Sequence, residues 1–173
     1  MRFLSERSIE MHKDYYNTLM LRYKIFEKSY PELKDNGLNG IYRCKIPLSE
    51  KREAARLYSD ILMHKIYFSS FCERNATSHR LKEEYGSVAS FLYILSEECM
   101  KCRCGFLLIY EERGKICLYC GDECERIIMK NNPLLALDLY EHAYFPDYGF
   151  DREKYILNAI SHFDLSKIEK SAN

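Results

Sequence analysis

The chain has 173 residues, of which 47% are hydrophobic and 30% are charged. This composition is typical of a globular protein with a core, and it excludes the disordered class of low hydrophobicity and high charge. Basic and acidic side chains number 26 each, so the net charge gives nucleic-acid binding no support. Every apolar run is far shorter than the roughly 20 residues that span a membrane, and the polar N-terminus favours a cytoplasmic or nuclear location.

Helical periodicity dominates residues 1–98, which we interpret as an N-terminal helical domain. A first helix follows Ser5, a typical N-cap, and Pro31 ends it. Asn-Gly pairs in the segment 34–46 indicate a connection without regular structure. A second helix is capped by Ser49, and a third follows Asn75-Ala76-Thr77-Ser78. The apolar faces of these three helices are predicted to carry Tyr16, Leu19, Tyr23, Phe26 and Tyr30; Leu57, Ile61 and Phe68; and Leu81, Tyr85, Val88, Leu92 and Leu95.

A cysteine-rich hairpin is predicted for residues 99–124, which hold six of the eight cysteines. Phe106–Tyr110 and Lys115–Tyr119 are β-prone and are joined by a turn that contains Gly114. Such a short strand pair is marginal in water, and a tetrahedral metal would hold its open end. We therefore predict a separate metal-binding module here.

The residues 125–173 are predicted to form C-terminal helices packed on the N-terminal domain. Pro133 suits the first turn of a helix that runs to Tyr140, and Phe145–Gly149 breaks it. Asp151 can cap a last helix. The predicted fold is thus mainly α, a helical bundle with one inserted, zinc-bound β-hairpin of the zinc-ribbon kind.

The predicted metal ligands are Cys102, Cys104, Cys117 and Cys120, with Cys99 and Cys124 as alternates. The first set, CxCG followed by CxxCG, resembles the CSL-type zinc finger of diphthamide-biosynthesis proteins. Using Cys99 in place of Cys104 gives the spacing of a zinc ribbon, and using Cys124 at a helix start resembles the FCS or treble-clef fingers. These resemblances imply one structural zinc per chain, with iron as the alternative because thiolates bind both metals.

The histidines show none of the metal-binding spacings, such as HExxH. We interpret each as a surface residue or a capped core residue, and the sequence yields no catalytic and no organic cofactor-binding residues. The five are His12, His64, His79, His142 and His162.

Three functions are compatible with this sequence, and the one with the least support is an enzyme whose active site lies among the helices. The first is a non-enzymatic regulator or adaptor that binds a protein partner or a second copy of itself. Helices followed by a cysteine module resemble the FlhC-type activators of flagellar transcription, which implies transcription control. The alternative is a redox or metal-handling protein that uses the same cysteines.

Overall fold

The computed structural model of the chain describes residues 3–34, 36–72, 78–122 and 124–170. Within them, helices surround a small antiparallel sheet, so the mainly helical prediction is confirmed. The helices are α1 Glu6–Ser29, α2 Leu38–Arg43, α3 Leu48–Ser69, α4 His79–Tyr85, α5 Val88–Lys101, α6 Glu125–Ile128, α7 Glu141–Tyr148, α8 Arg152–Ile160 and α9 Ser166–Lys170; the strands are β1 Phe106–Glu112, β2 Lys115–Gly121 and β3 Pro133–Asp138.

The first helices follow the predicted periodicity. The Ser5 hydroxyl accepts a hydrogen bond from the Ser8 amide, and α1 ends at Ser29, shortly before Pro31. Leu19 and Tyr23 of the predicted stripe are buried, together with Leu57 of α3. Two details differ from the prediction: the segment 34–46 contains the short helix α2, and α3 begins at Leu48, so that Ser49 lies inside the helix rather than capping it.

The third predicted helix is divided into α4 and α5. Gly86, with φ of 78°, ends α4, and the Ser87 hydroxyl caps α5 by accepting from the Ser90 amide. A left-handed residue cannot continue an α-helix, so the apolar stripe runs across a break that periodicity alone does not reveal. The start of this segment, residues 75–77, lies outside the described residues.

The sheet has the order β2-β1-β3, with both neighbours antiparallel to β1. The hairpin of β1 and β2 is as predicted, but β3 occupies the segment assigned to a helix from Pro133 to Tyr140. Because β3 pairs with β1, the predicted segments 99–124 and 125–173 share one sheet, and the division of the chain into three domains stays a prediction. The side chain of Glu84 and the hydroxyl of Tyr85 bond the amide and carbonyl of Ile116, which covers the outer edge of β2.

Gly105, just before β1, lies where two backbones approach closely. Its φ is 110°, and a Cβ atom there would lie 2.1 Å from the carbonyl oxygen of Gly121. Its own carbonyl accepts from the Leu139 amide at 2.9 Å, directly after β3. Glycine at this position therefore allows the start of β1 to bond closely to the end of β3, whose last residue is Asp138. Asp151 caps α8 as predicted, whereas Phe145–Gly149 does not break a helix but belongs largely to α7.

Candidate metal centre

Four side chains from four elements converge at the C-terminal end of β3. They are Asp138 from β3, His12 from α1, His64 from α3 and His142 from α7, and their ligand atoms lie within 4.8 Å of one another. The Oδ2 atom of Asp138 lies 3.1 Å from Nε2 of His12, 3.5 Å from Nε2 of His64 and 2.9 Å from Nε2 of His142. Asp138, His12 and His64 are buried, while the His142 side chain is about one-third exposed.

The local sequence explains these positions. His12 precedes Tyr16 by four residues and so continues the apolar stripe of α1, and His64 lies between Ile61 and Phe68 on α3 at the same steps. Both imidazoles are thereby carried into the core. Asp138 ends a buried strand, and His142 follows it by four residues in the first turn of α7.

Hydrogen bonds outside the cluster orient these side chains. The Nδ1 atom of His64 lies 2.7 Å from the backbone carbonyl of Asp60, which leaves Nε2 directed at the cluster. The Asp138 Oδ1 atom accepts from the Tyr140 amide at 2.9 Å, and the buried Tyr155 hydroxyl donates to the Asp138 carbonyl at 2.7 Å. The far sides of His64 and Asp138 are thus fixed, and His64 Nε2 and Asp138 Oδ2 are left for a ligand.

The protonation states of His64 and Asp138 also favour the binding of a metal cation. Burial lowers the pKa of His64 to about 4, so its imidazole is neutral at physiological pH. Burial alone would raise the pKa of Asp138, but the imidazoles of His12 and His142 hold it below its usual value. A neutral histidine and an ionised carboxylate are the forms that bind metals.

The donor set fits a first-row transition metal. Among the described residues, the buried Nε2 atom of His64 has no hydrogen-bond partner, which is costly unless something binds it. Ligands at about 2.1 Å from one ion, at angles between 90° and 120°, would lie about 3.0 to 3.6 Å apart. The contacts of Asp138 Oδ2 span 2.9 to 3.5 Å. Imidazole and carboxylate donors suit iron and manganese, and no softer thiolate belongs to the cluster.

Strand β2 separates two of the cysteines predicted as ligands. Cys117 and Cys120 are three positions apart on this extended strand, so their side chains leave opposite faces of the sheet. Cys102 directly follows α5, and its thiol donates to the carbonyl of the exposed Cys104 at 3.2 Å. Metal binding by the set Cys102, Cys104, Cys117 and Cys120 stays a prediction. Both alternates, Cys99 and Cys124, are buried.

A cavity of about 320 Å³ leads to the cluster. Its wall includes His64 and His142 of the cluster and five polar side chains beyond it, Tyr15, Arg56, Asp60, Asp122 and Tyr140. Burial raises the pKa of Tyr15, whose hydroxyl therefore stays protonated, and raises that of Asp60 to about 6. Arg56 Nη1 donates to Asp60 Oδ2 at 3.0 Å. A small polar molecule or anion has a route from solvent to the cluster here.

The cluster of three histidines and one aspartate has the donor set of a candidate metal centre. The family model for iron/manganese superoxide dismutases, C-terminal domain, matches residues 73–171, more than half of the chain. The chain belongs to this family. The match covers both Asp138 and His142.

Named relatives agree with this assignment. The chain is 25% identical over 181 aligned residues to the chloroplastic iron superoxide dismutase 2 of Oryza sativa subsp. japonica, covering 92% of this chain and 67% of that protein. It is 21% identical to the chloroplastic iron superoxide dismutase 3 of Arabidopsis thaliana, covering 92% and 65%. It is 26% identical to the iron superoxide dismutase of Cupriavidus metallidurans, covering 61% and 58%. The chain thus spans between 58 and 67% of the lengths of these relatives.

These findings correct the main functional prediction. The zinc-finger and flagellar-activator resemblances are wrong, because the matching family is that of a redox enzyme. The non-enzymatic regulator is wrong for the same reason, and the redox or metal-handling alternative is nearer to the finding. The family metal is iron or manganese, so the iron alternative has support where zinc has none. No helix in the described part of the chain is long and apolar enough to cross a membrane.

Proposed function

We propose that this chain dismutates superoxide, with iron or manganese held by His12, His64, Asp138 and His142. The observation that carries the proposal is the convergence of three imidazole Nε2 atoms on one buried carboxylate oxygen. Family membership supports it, because the matching family and the named relatives are superoxide dismutases. The reaction takes two superoxide anions and two protons to dioxygen and hydrogen peroxide.

The bound metal would supply reversible one-electron exchange with superoxide. The chain's own residues perform the other tasks. His12, His64 and His142 would present their Nε2 nitrogens to the ion, and Asp138 would contribute the anionic oxygen that offsets part of its charge. Tyr15 places a protonated hydroxyl in the cavity, where it can donate a hydrogen bond to a small anion.

Iron is our first choice of metal. All three relatives described above are named as iron enzymes, while a set of three imidazoles and one carboxylate accepts manganese equally well. Groups that hydrogen-bond the ligands would adjust the reduction potential of the bound ion. Here the Asp60 carbonyl, behind His64, and the Tyr140 amide, behind Asp138, are the nearest such groups.

The test is reconstitution of the purified full-length chain with iron, manganese or zinc, each followed by elemental analysis and a superoxide-consumption assay. We expect about one iron or manganese per chain and activity with at least one of them, and none with zinc, which does not exchange electrons. If the chain binds about one iron or manganese ion but consumes no superoxide with either metal, the proposed function is refuted. Failure to load either metal would refute the site as well.

Arg56 is predicted to attract the anionic substrate. It lies on the cavity wall and is the ion-pair partner of both Glu53 and Asp60. Replacing it with alanine removes this positive charge and the ion-pair partner of Asp60 on the cavity wall, so we expect kcat/KM to fall by about threefold or more at low salt. The deficit should shrink as ionic strength rises.

Arg22→Ala is the matched control for this variant. Arg22 also pairs with Glu53, at 2.9 Å, but does not line the cavity. Its removal should leave kcat/KM nearly unchanged. Equal losses in the two variants, or a deficit of Arg56→Ala that ignores salt, would contradict a role in substrate attraction.

A further inference from the structure

A second cavity, of about 610 Å³, lies between two segments that are distant in the sequence. One wall comes from residues 36–43, which include α2, and the other from residues 128–133, which run from the end of α6 to the start of β3. Tyr58 and Leu62 of α3 complete the lining. None of these described residues lines the cavity at the metal centre, so the two cavities are separate. The volume falls in the range of small-molecule sites, about 300 to 1,000 Å³.

The charged side chains that line this second cavity are both cationic. Arg43 ends α2 on one wall, and Lys130 follows α6 on the other. In the described part of the chain, neither the Arg43 guanidinium nor the Lys130 ammonium has an ion pair or a side-chain hydrogen bond, and no acidic residue lines the cavity. The chain as a whole has 26 basic and 26 acidic residues, so this excess of positive charge is local. It favours an anion.

Asparagine amides line both walls as well. The two Asn-Gly pairs of the segment 34–46 supply Asn36 and Asn39 on one wall, and Asn131 and Asn132 belong to the other. Each amide offers two N–H donors and a carbonyl acceptor, whereas a cation offers donors only. Hydroxyl groups, which both donate and accept, are the natural partners of such a set.

Two contacts fix the walls in the folded chain. The Tyr42 hydroxyl donates to Glu125 Oε2 at 3.1 Å and so joins α2 to α6. The Asn36 side chain donates to the Glu32 carbonyl, and a Cβ atom at Gly40 would lie 2.5 Å from Asn36 Oδ1. Glycine there leaves room for this orientation of Asn36. Because the walls are preformed, a ligand would pay little to order them.

We propose that this cavity binds a small organic phosphate monoester of the sugar phosphate class. Such a phosphate group carries roughly two negative charges at neutral pH, which match Arg43 and Lys130, one on each wall. A carboxylate carries a single charge and would leave one of these cations unpaired. The asparagine amides would bond the hydroxyls of the organic part, and Tyr58, Leu62 and Ile128 would cover its carbon atoms.

The test is isothermal titration calorimetry on the full-length, metal-loaded protein with ribose 5-phosphate, inorganic phosphate and ribose in separate runs. We expect ribose 5-phosphate to bind at least about tenfold more tightly than inorganic phosphate, since only the ester reaches both the cations and the amides. Ribose alone should give no measurable binding. If inorganic phosphate binds as tightly as the ester, or if ribose 5-phosphate does not bind, the proposal is overturned.

Alanine variants locate the phosphate group. Arg43→Ala and Lys130→Ala should each weaken the binding of ribose 5-phosphate by about tenfold or more, because each removes a charge-assisted contact. Both side chains are exposed, so the Tm of each variant should stay near that of the wild type. Lys45→Ala is the matched control, since Lys45 is an exposed cation two residues after Arg43 that does not line the cavity. Equal weakening in all three variants would reduce the binding to general charge attraction and refute the site.

Two further variants separate this site from the metal centre, where a phosphate group has a second route to a cation. Arg56→Ala removes the arginine of that other cavity, and His142→Ala removes a proposed metal ligand. Both should bind ribose 5-phosphate as the wild type does. Binding lost in Arg56→Ala or His142→Ala and kept in Arg43→Ala would place the ester at the metal centre and overturn the inference. Since no titration measures superoxide consumption, a failure of the proposed dismutase function leaves these results intact.

Discussion

Replacement of His142 by alanine should lower the metal content of the protein and should lower its superoxide dismutase activity by more than about 100-fold. Loss of a group that merely hydrogen-bonds a metal ligand already lowers metal affinity or activity by about 10- to 100-fold. The variant removes one of four donors and leaves Asp138 Oδ2 without its nearest contact, at 2.9 Å. The His142 side chain is about one-third exposed, so the fold should survive its truncation better than that of His12 or His64. Elemental analysis and a superoxide assay on the same sample give both readouts.

His79→Ala is the matched control. His79 is also a histidine in the first turn of a helix with an acidic partner, Glu83, but it is largely exposed and does not belong to the cluster. Metal content and activity should be unchanged in this control. A His142→Ala protein that retains full metal and full activity would exclude His142 as a ligand.

Removal of the metal should lower the thermal stability of the chain. The four ligands tie α1, α3, β3 and α7 together, and an ion that binds only the folded chain stabilises it by mass action. With free metal at about 1,000 times its Kd, the gain is about 4 kcal/mol, which corresponds to about 8 to 16 °C in Tm for a chain of this size. Calorimetry or circular dichroism on apo and reconstituted protein measures it.

The same scans on His142→Ala provide the control, because its Tm should respond little to added iron or manganese. Cys120→Ser, which leaves the His/Asp cluster intact, should respond like the wild type. If the Tm of the wild type is the same with and without metal, these side chains do not hold the folded elements together through an ion. A response lost in Cys120→Ser and kept in His142→Ala would assign the stabilising metal to the cysteines instead.

The helices are predictable because their apolar residues recur with the helical period. Their capping residues are also predictable, because each cap bonds to a backbone amide only a few residues away. Ser5 and Asp151 cap as expected, and the hairpin of β1 and β2 follows from two β-prone runs around a glycine turn. The sequence Pro133–Asp138 was misread for a physical reason: a short, continuous apolar run fits a buried strand and a buried helix alike. Its pairing with β1 is a long-range contact, which local sequence patterns do not predict.

The metal centre was missed because its ligands are isolated along the chain. His12 and His64 each extend an apolar stripe that the sequence predicts to face the core, and a histidine in such a position needs a polar partner there. That was the available signal. Asp138 lies in a segment wrongly assigned to a helix, and its spacing of four residues from His142 matches no known metal-binding motif, whereas the cysteine spacing is compact. That spacing does not reveal that the extended strand β2 places Cys117 and Cys120 on opposite faces of the sheet.

The distribution of the four ligands along the chain also fixes an order of events in biogenesis. His12 and His142 come from helices near opposite ends of the described chain, and Asp138 reaches them only after β3 has paired with β1. Contacts between such distant segments form late in folding, because closing long loops has to be offset by other contacts first. The unfolded polypeptide therefore does not hold these four side chains together, and binding of the proposed metal by them would follow tertiary assembly.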